Sequence, residues 1–161
     1  MPKWILGGLV ATLVGACSAV QLPGGSSAAT SANVAGDVIR FTNDARVRNG
    51  LPMLAASAKL NEAARVQAEQ MARAQKLDHT IPGAAQPTLE SRLQAATYIY
   101  SSAAENVAWN QTSPQAAVNS WMNSTGHRAN ILDRGFKEIG AAMARSAKGE
   151  AYWVEVFGTP R

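Results

Sequence analysis

The stretch "SWMNSTGHRANIL", Ser120 to Leu132, decides how this sequence is read. It closes one helix, opens another, and carries one of only two histidines in the chain, His127, between a glycine and an arginine. The helix before it is plainly marked. In "TSPQAAVNSWMNSTG", Ser113 offers an N-cap, Pro114 takes the first helical position, and Gly126 stands past the expected end. Val118, Trp121 and Met122 would point inward from it.

Downstream, "FKEIGAAMARS" and "AYWVEVFGT" read as two strands joined through "AKGE". Tyr152, Val154 and Val156 alternate with Trp153, Glu155 and Phe157, the period-two pattern of a hairpin. Upstream, a helix is expected from about Ser57, its N-cap, to Gln75, with Leu60, Ala64, Ala68 and Met71 as the apolar stripe and Lys59, Glu62, Arg65, Glu69 and Arg73 facing out. An earlier helix places Val38, Phe41, Ala45 and the stem of Arg48 on one face and stops at Asn49-Gly50, with Pro52 beyond. The loop "LDHTIPGAAQPT" carries the other histidine, His79, and Leu89 to Ala96 forms a short helix. Helices first and antiparallel strands later give an α+β class.

A chain of 161 residues with 47% hydrophobic and 16% charged residues can bury the core of one domain. Its formal charge of +4 comes from scattered side chains (Arg46, Arg65, Arg73, Arg92, Arg128, Arg145). A nucleic-acid groove needs a continuous basic stripe, so nucleic acid is excluded as a partner. The single cysteine, Cys17, permits neither an intramolecular disulfide nor a cysteine metal cluster.

That cysteine ends the leader "MPKWILGGLVATLVGAC". Lys3 supplies the positive start, and the uncharged run Ile5 to Ala16 is shorter than the roughly 20 apolar residues of a membrane span but suits a signal core. "VGAC", Val14 to Cys17, resembles the bacterial lipobox, which implies cleavage before Cys17 and diacylglycerol on its sulfur. Burial of acyl chains at about 0.8 kcal/mol per CH₂ would then anchor the protein to a membrane. The rival is an ordinary secretory signal cut after Ala16 or Ala19. Ser18 follows the cysteine where an inner-membrane retention signal would have Asp; by resemblance to Gram-negative lipoproteins this favours the outer membrane. Ser18 to Gly36, small, polar and glycine-rich, reads as a flexible tether. The expected organisation is signal peptide 1–16, acylated cysteine and tether 17–36, and one domain 37–161.

Four segments occur in a telling order: "FTNDARVRNGLPML", "LDHT", "AENVAW", and "SWMNSTGHRANIL" before a hairpin ending "YWVEVFG". Together they resemble the bacterial branch of the CAP superfamily (cysteine-rich secretory protein, antigen 5 and pathogenesis-related 1; the SCP domain), over about Val38 to Gly158. The resemblance implies a three-layer α-β-α sandwich with a central antiparallel sheet, and a cavity lined by two histidines and up to two glutamates. His79, Glu105 and His127 match three of these. The position of the second glutamate is Ser124, and Ala104 stands where the motif has glycine before Glu105. Asn106, Trp121, Arg128 and Asn130 are expected to support the cavity.

Two neutral imidazoles bind Zn²⁺ at about 2.0–2.1 Å, and a carboxylate can add a ligand or orient water. Zinc or another divalent metal is therefore the expected cofactor if there is one, with His79 and His127 as ligands and Glu105 as general base of a metal-assisted hydrolase. Plainer roles compete. His79 could satisfy backbone groups, His127 could cap the "RANIL" turn with Asn130 bonding locally, and Glu105 could pair with Arg128. Ser124 or Ser120 with His127 and Glu105 would make a serine hydrolase, but no Gly-x-Ser-x-Gly elbow is present. Trp109, Trp121, Trp153 and Tyr98 either line an apolar groove or belong to the core. The reading favoured by the whole sequence is an envelope-anchored, non-catalytic module that binds a lipid or protein ligand and has room for a divalent metal; the hydrolase is the alternative.

Overall fold

The structure, a computed structural model, describes residues 26–161, with side-chain surroundings from residue 33 onward. The signal segment and Cys17 lie outside the described residues. Nine elements follow in order: α1 (Ser26–Arg48), β1 (Ala55–Ala56), α2 (Ala58–Ala74), α3 (Leu89–Ala95), β2 (Tyr100–Trp109), α4 (Pro114–Met122), α5 (Thr125–Ile131), β3 (Glu138–Arg145) and β4 (Ala151–Pro160). Among the described residues no helix is long and apolar enough to cross a membrane.

The strands pair in the order β1-β3-β4-β2. β3 and β4 form the expected hairpin, in register from Glu138↔Gly158 to Arg145↔Ala151. β2 lies antiparallel on the other side of β4, with Asn106 opposite Glu155. The sheet is antiparallel except at one edge, where the two-residue β1 runs parallel to β3. β4 is buried along almost its whole length. Its alternation therefore separates two cores, not core from solvent: Trp153 and Phe157 join Val38, Ala45, Val118, Trp121 and Ile131 on one face. Tyr152, Val154 and Val156 join Leu60, Ala64, Ala68, Met71 and Leu93 on the other. With α1, α4 and α5 on the first face and α2 and α3 on the second, the molecule is the α-β-α sandwich that the sequence implied.

Local chemistry explains the placements. Ser113 caps α4 by accepting from the Ala116 N–H at 3.1 Å, with Pro114 behind it. α2 ends where Gln75 turns left-handed (φ 50°) and its N–H reaches back to the Met71 carbonyl. Gly140, the glycine of "FKEIG", is demanded by packing: a Cβ there would run into the backbone of Leu60 and Asn61. The first turn of α2 therefore rests directly on β3, and Asn61 Oδ1 accepts from the Ala141 N–H at 2.9 Å.

Three expectations shift. α1 begins at Ser26, inside the stretch read as tether. On its inner face Arg46 is buried and Arg48 exposed. The buried guanidinium donates through Nη1 to Ile131 O (2.7 Å) and Asp133 O (2.8 Å) and through Nε to Pro52 O (3.0 Å), leaving Nη2 without a partner, and so ties α1 to the C-terminal end of α5. Gly126 does not end α4. A short turn at Asn123-Ser124 does, and Gly126 is the second residue of α5.

Candidate functional site

Glu105 and Asn106 are neighbours on β2, so they point to opposite faces of the sheet. Each organises a polar cluster in an otherwise apolar layer.

Glu105 looks toward α2 and α3, and its side chain is 2% exposed. Arg92 meets it from α3. That helix is started by a reciprocal cap, in which Thr88 Oγ1 accepts from the Ser91 N–H and Ser91 Oγ accepts from the Thr88 N–H. The cap fixes the phase that turns Arg92 inward. Arg92 Nη2 donates to Glu105 Oε2 at 2.7 Å, and the same guanidinium reaches the carbonyls of His79 (3.4 Å) and Pro87 (3.3 Å). One arginine thus holds both the carboxylate and the loop that carries His79. Gln67 of α2 fixes that loop again by donating to Asp78 O at 2.6 Å. His79 completes the cluster with Nδ1 at 3.0 Å from Glu105 Oε1.

The two imidazoles titrate apart. The hydrogen bond to Glu105 raises His79 above the usual histidine value, against the opposing effect of partial burial. His127 is held below it, first by desolvation and then by repulsion from His79. His79 and Glu105 are thus joined directly, whereas the contact that fixes His127 is made by its backbone carbonyl, to Asn106.

Asn106 looks the other way. Its Nδ2 donates to Glu155 Oε1 (2.8 Å) and to the His127 carbonyl (3.0 Å), while its Oδ1 accepts from Asn130 Nδ2 (2.9 Å). Thr42 of α1 donates to Glu155 Oε2 at 2.7 Å. Asn106 and Asn130 are thus joined in one buried polar network with Glu155 and the His127 carbonyl. Trp121 is buried in the first core with Nε1 donating to the Val107 carbonyl at 3.1 Å. Ala104 sits in regular pairing opposite Phe157 and is not among the residues with positive φ, so alanine replaces the motif glycine without strain.

The alternatives weighed from the sequence fare differently. Arg128 is exposed and does not pair with Glu105; it lines a surface hollow with Met122, Thr125 and Leu132. Arg92 is the arginine that does. Ser124 is the N-cap residue of α5 and makes no side-chain cap, Ser120 is exposed, and no hydrogen bond joins either to His127. The four aromatics share no groove: Trp121 and Trp153 are in one core, Tyr98 is in the other, and Trp109 is 44% exposed. A divalent metal fits poorly. Among the described residues no group of three His, Cys, Asp or Glu is arranged to hold one. Both Glu105 oxygens are engaged, one by a guanidinium that would repel a dication, which leaves two imidazoles without a third protein ligand.

Sequence reasoning missed Arg92, Glu155 and Thr42. The signal for Glu155 was present, a lone carboxylate between Trp153 and Phe157 on a strand otherwise apolar from Ala151 to Gly158. Arg92 gave none, since a helix of seven residues has too few turns to show its inward face.

The family model for CAP, the cysteine-rich secretory protein family, matches residues 39–157. A protein of Bacillus subtilis called YkwD, itself uncharacterized, is 32% identical over 120 residues, covering 74% of this chain and 45% of its own. A Bacillus subtilis membrane protein called YlbC, also uncharacterized, is 30% identical over 108 residues, 67% of this chain and 31% of its own. The chain thus spans less than half the length of these relatives. An extracellular SCP-domain protein from Bacillus anthracis superposes with a TM-score of 0.71 at 26% identity, over 80% of this chain and 41% of that one. An outer surface protein of Borrelia burgdorferi has the same fold (TM-score 0.69, 19% identity, 77% of this chain and 90% of that one). With the family model matched over most of the chain, a relative at 32% identity and the sandwich in agreement, the chain belongs to the CAP family.

Proposed function

We infer that this chain is an envelope-anchored binding module: a lipoprotein attached through acylated Cys17, whose CAP domain captures a lipid or protein ligand and performs no catalysis. The observation that carries the reading is the full engagement of Glu105. Its two oxygens are used by Arg92 and His79 inside the protein, so it is not free to take a proton from water as a general base must. Such a clamp suits a rigid polar wall against which a partner docks. The names of two similar structures, an extracellular protein and an outer surface protein, support a place outside the cytoplasm.

The rival hydrolase makes a different forecast. Titration of Zn²⁺ into the purified protein and into His127→Ala, followed by calorimetry, should show no binding, or binding that the substitution leaves unchanged. Micromolar binding lost in His127→Ala, together with ester hydrolysis lost in Glu105→Gln, would establish the metal-assisted enzyme instead. Anchoring is checked separately by mass spectrometry of the membrane fraction. An unmodified Cys17 in a product that does not sediment with membranes would refute it.

A further inference from the structure

Among the described residues Glu155 is the one buried carboxylate that the binding site does not use. It is fully buried, and the groups that reach it are neutral: Thr42 Oγ1 on Oε2 and Asn106 Nδ2 on Oε1. Its register partner on β3 is Ala141. The charged or titratable groups on the elements packed around it are turned elsewhere. Arg46 of α1 is spent on carbonyls around the end of α5, Glu105 of β2 is on the opposite face, and Arg128 of α5 is exposed. His127 is linked to it only through its carbonyl and Asn106.

The donors around Glu155 match its ionised form. Both neighbours give a hydrogen and neither takes one, so a proton arriving on the carboxylate has no acceptor in this arrangement. Asn106 could supply one only by turning its amide over. That turn would break Nδ2 from the His127 carbonyl and Oδ1 from Asn130, the two bonds by which β2 holds α5.

We propose that Glu155 is a proton-controlled positioning residue, which when ionised keeps Asn106 bound to α5 and when protonated releases α5, and with it His127, from the wall of the site. Burial without a charged partner pushes this carboxyl up to about 7, which places the change in the neutral range. The inference rests on the binding-module reading only for what the movement would control, because the coupling itself needs no ligand.

The test is a titration of the ¹⁵N-labelled full chain between pH 5 and 8.5, following the Asn106 side-chain amide and the backbone amides of α5. Both sets should shift together with one inflection near neutrality, and the inflection should persist in His127→Gln, which removes the imidazole's own titration. Glu155→Gln should abolish it. Asn106→Ala, which removes both bonds to α5 and adds no titratable group, should detach the α5 amides from it. The proposal is overturned if the Asn106 amide does not respond, as it would not if Thr42 simply reversed its hydroxyl to accept the proton. It is equally overturned if the inflection survives in Glu155→Gln. Either result leaves the binding-module reading standing, which depends on Zn²⁺ titration and ester hydrolysis instead.

Discussion

Glu105 and Glu155 lie on neighbouring strands, one register step apart and on opposite faces of the sheet. Both are buried carboxylates inside an apolar layer. The first is met by a guanidinium and an imidazole, the second by a hydroxyl and an amide. The difference teaches what compensates a buried charge. Glu105 has a guanidinium against it, whereas Glu155 has only neutral donors, and burial raises its carboxyl. One face of the sheet therefore holds an ion-paired clamp and the other a buried carboxyl without a charged partner.

The comparison breaks most easily at Arg92. Arg92→Met leaves Glu105 buried without its cation and should cost about 3–5 kcal/mol in a urea unfolding series, since removing one partner strands the other. A loss below about 1 kcal/mol would mean that solvent reaches Glu105 after all. Glu155→Gln should behave in the opposite sense. Because the native carboxyl is raised from 4.5 to about 7, the folded state keeps its proton longer than the unfolded chain does. Stability from this group is thus present at low pH and lost as pH rises through that window, by about 3 kcal/mol at the upper limit. Unfolding midpoints of Glu155→Gln should lack this fall between pH 5 and 8, and a parallel fall in both proteins would contradict it.

A smaller effect sharpens the clamp. Glu105→Gln should lower the His79 value, read from its ring-proton shift in a chain with only two histidines to assign. His79's contribution to stability, present below its unfolded value and lost as pH rises through the folded one, should shrink with it. The smallest effect belongs on the surface, where Arg65 bridges Glu62 and Glu69, each at 2.6 Å, with all three side chains substantially exposed. Arg65→Ala should cost no more than about 1 kcal/mol and less in high salt.

What could be read in the sequence follows where periodicity or punctuation was long enough to see. The bounds of α2, the proline-started α4 and the β3–β4 hairpin all had such signals, and the motif order singled out His79 and Glu105, which the fold brings into contact. β2 was not legible as a strand, because "YSSAAENVAW" is rich in alanine and serine and owes its extended form to pairing with β4. Arg46 and Arg92 read as two of several scattered cations. Their burial depends on carbonyls and a carboxylate supplied from up to 87 residues away, which no local window contains. Arg128 misled for the converse reason, since adjacency to His127 in sequence says little about which way a residue faces on a helix.

β4 runs through the middle of the sheet, between β2 and β3, and contributes to both cores, yet it is the last of the described strands to be synthesised. Helices α1 to α5 can form before it, but neither core can close until residues 151–160 have been made. At about 5–20 residues per second, the growing chain thus spends seconds with two apolar layers and the edge of β3 uncovered. That interval is open to a chaperone or an export machine that must grasp an unfolded polypeptide. Once β4 arrives, the cores close together and the opportunity ends.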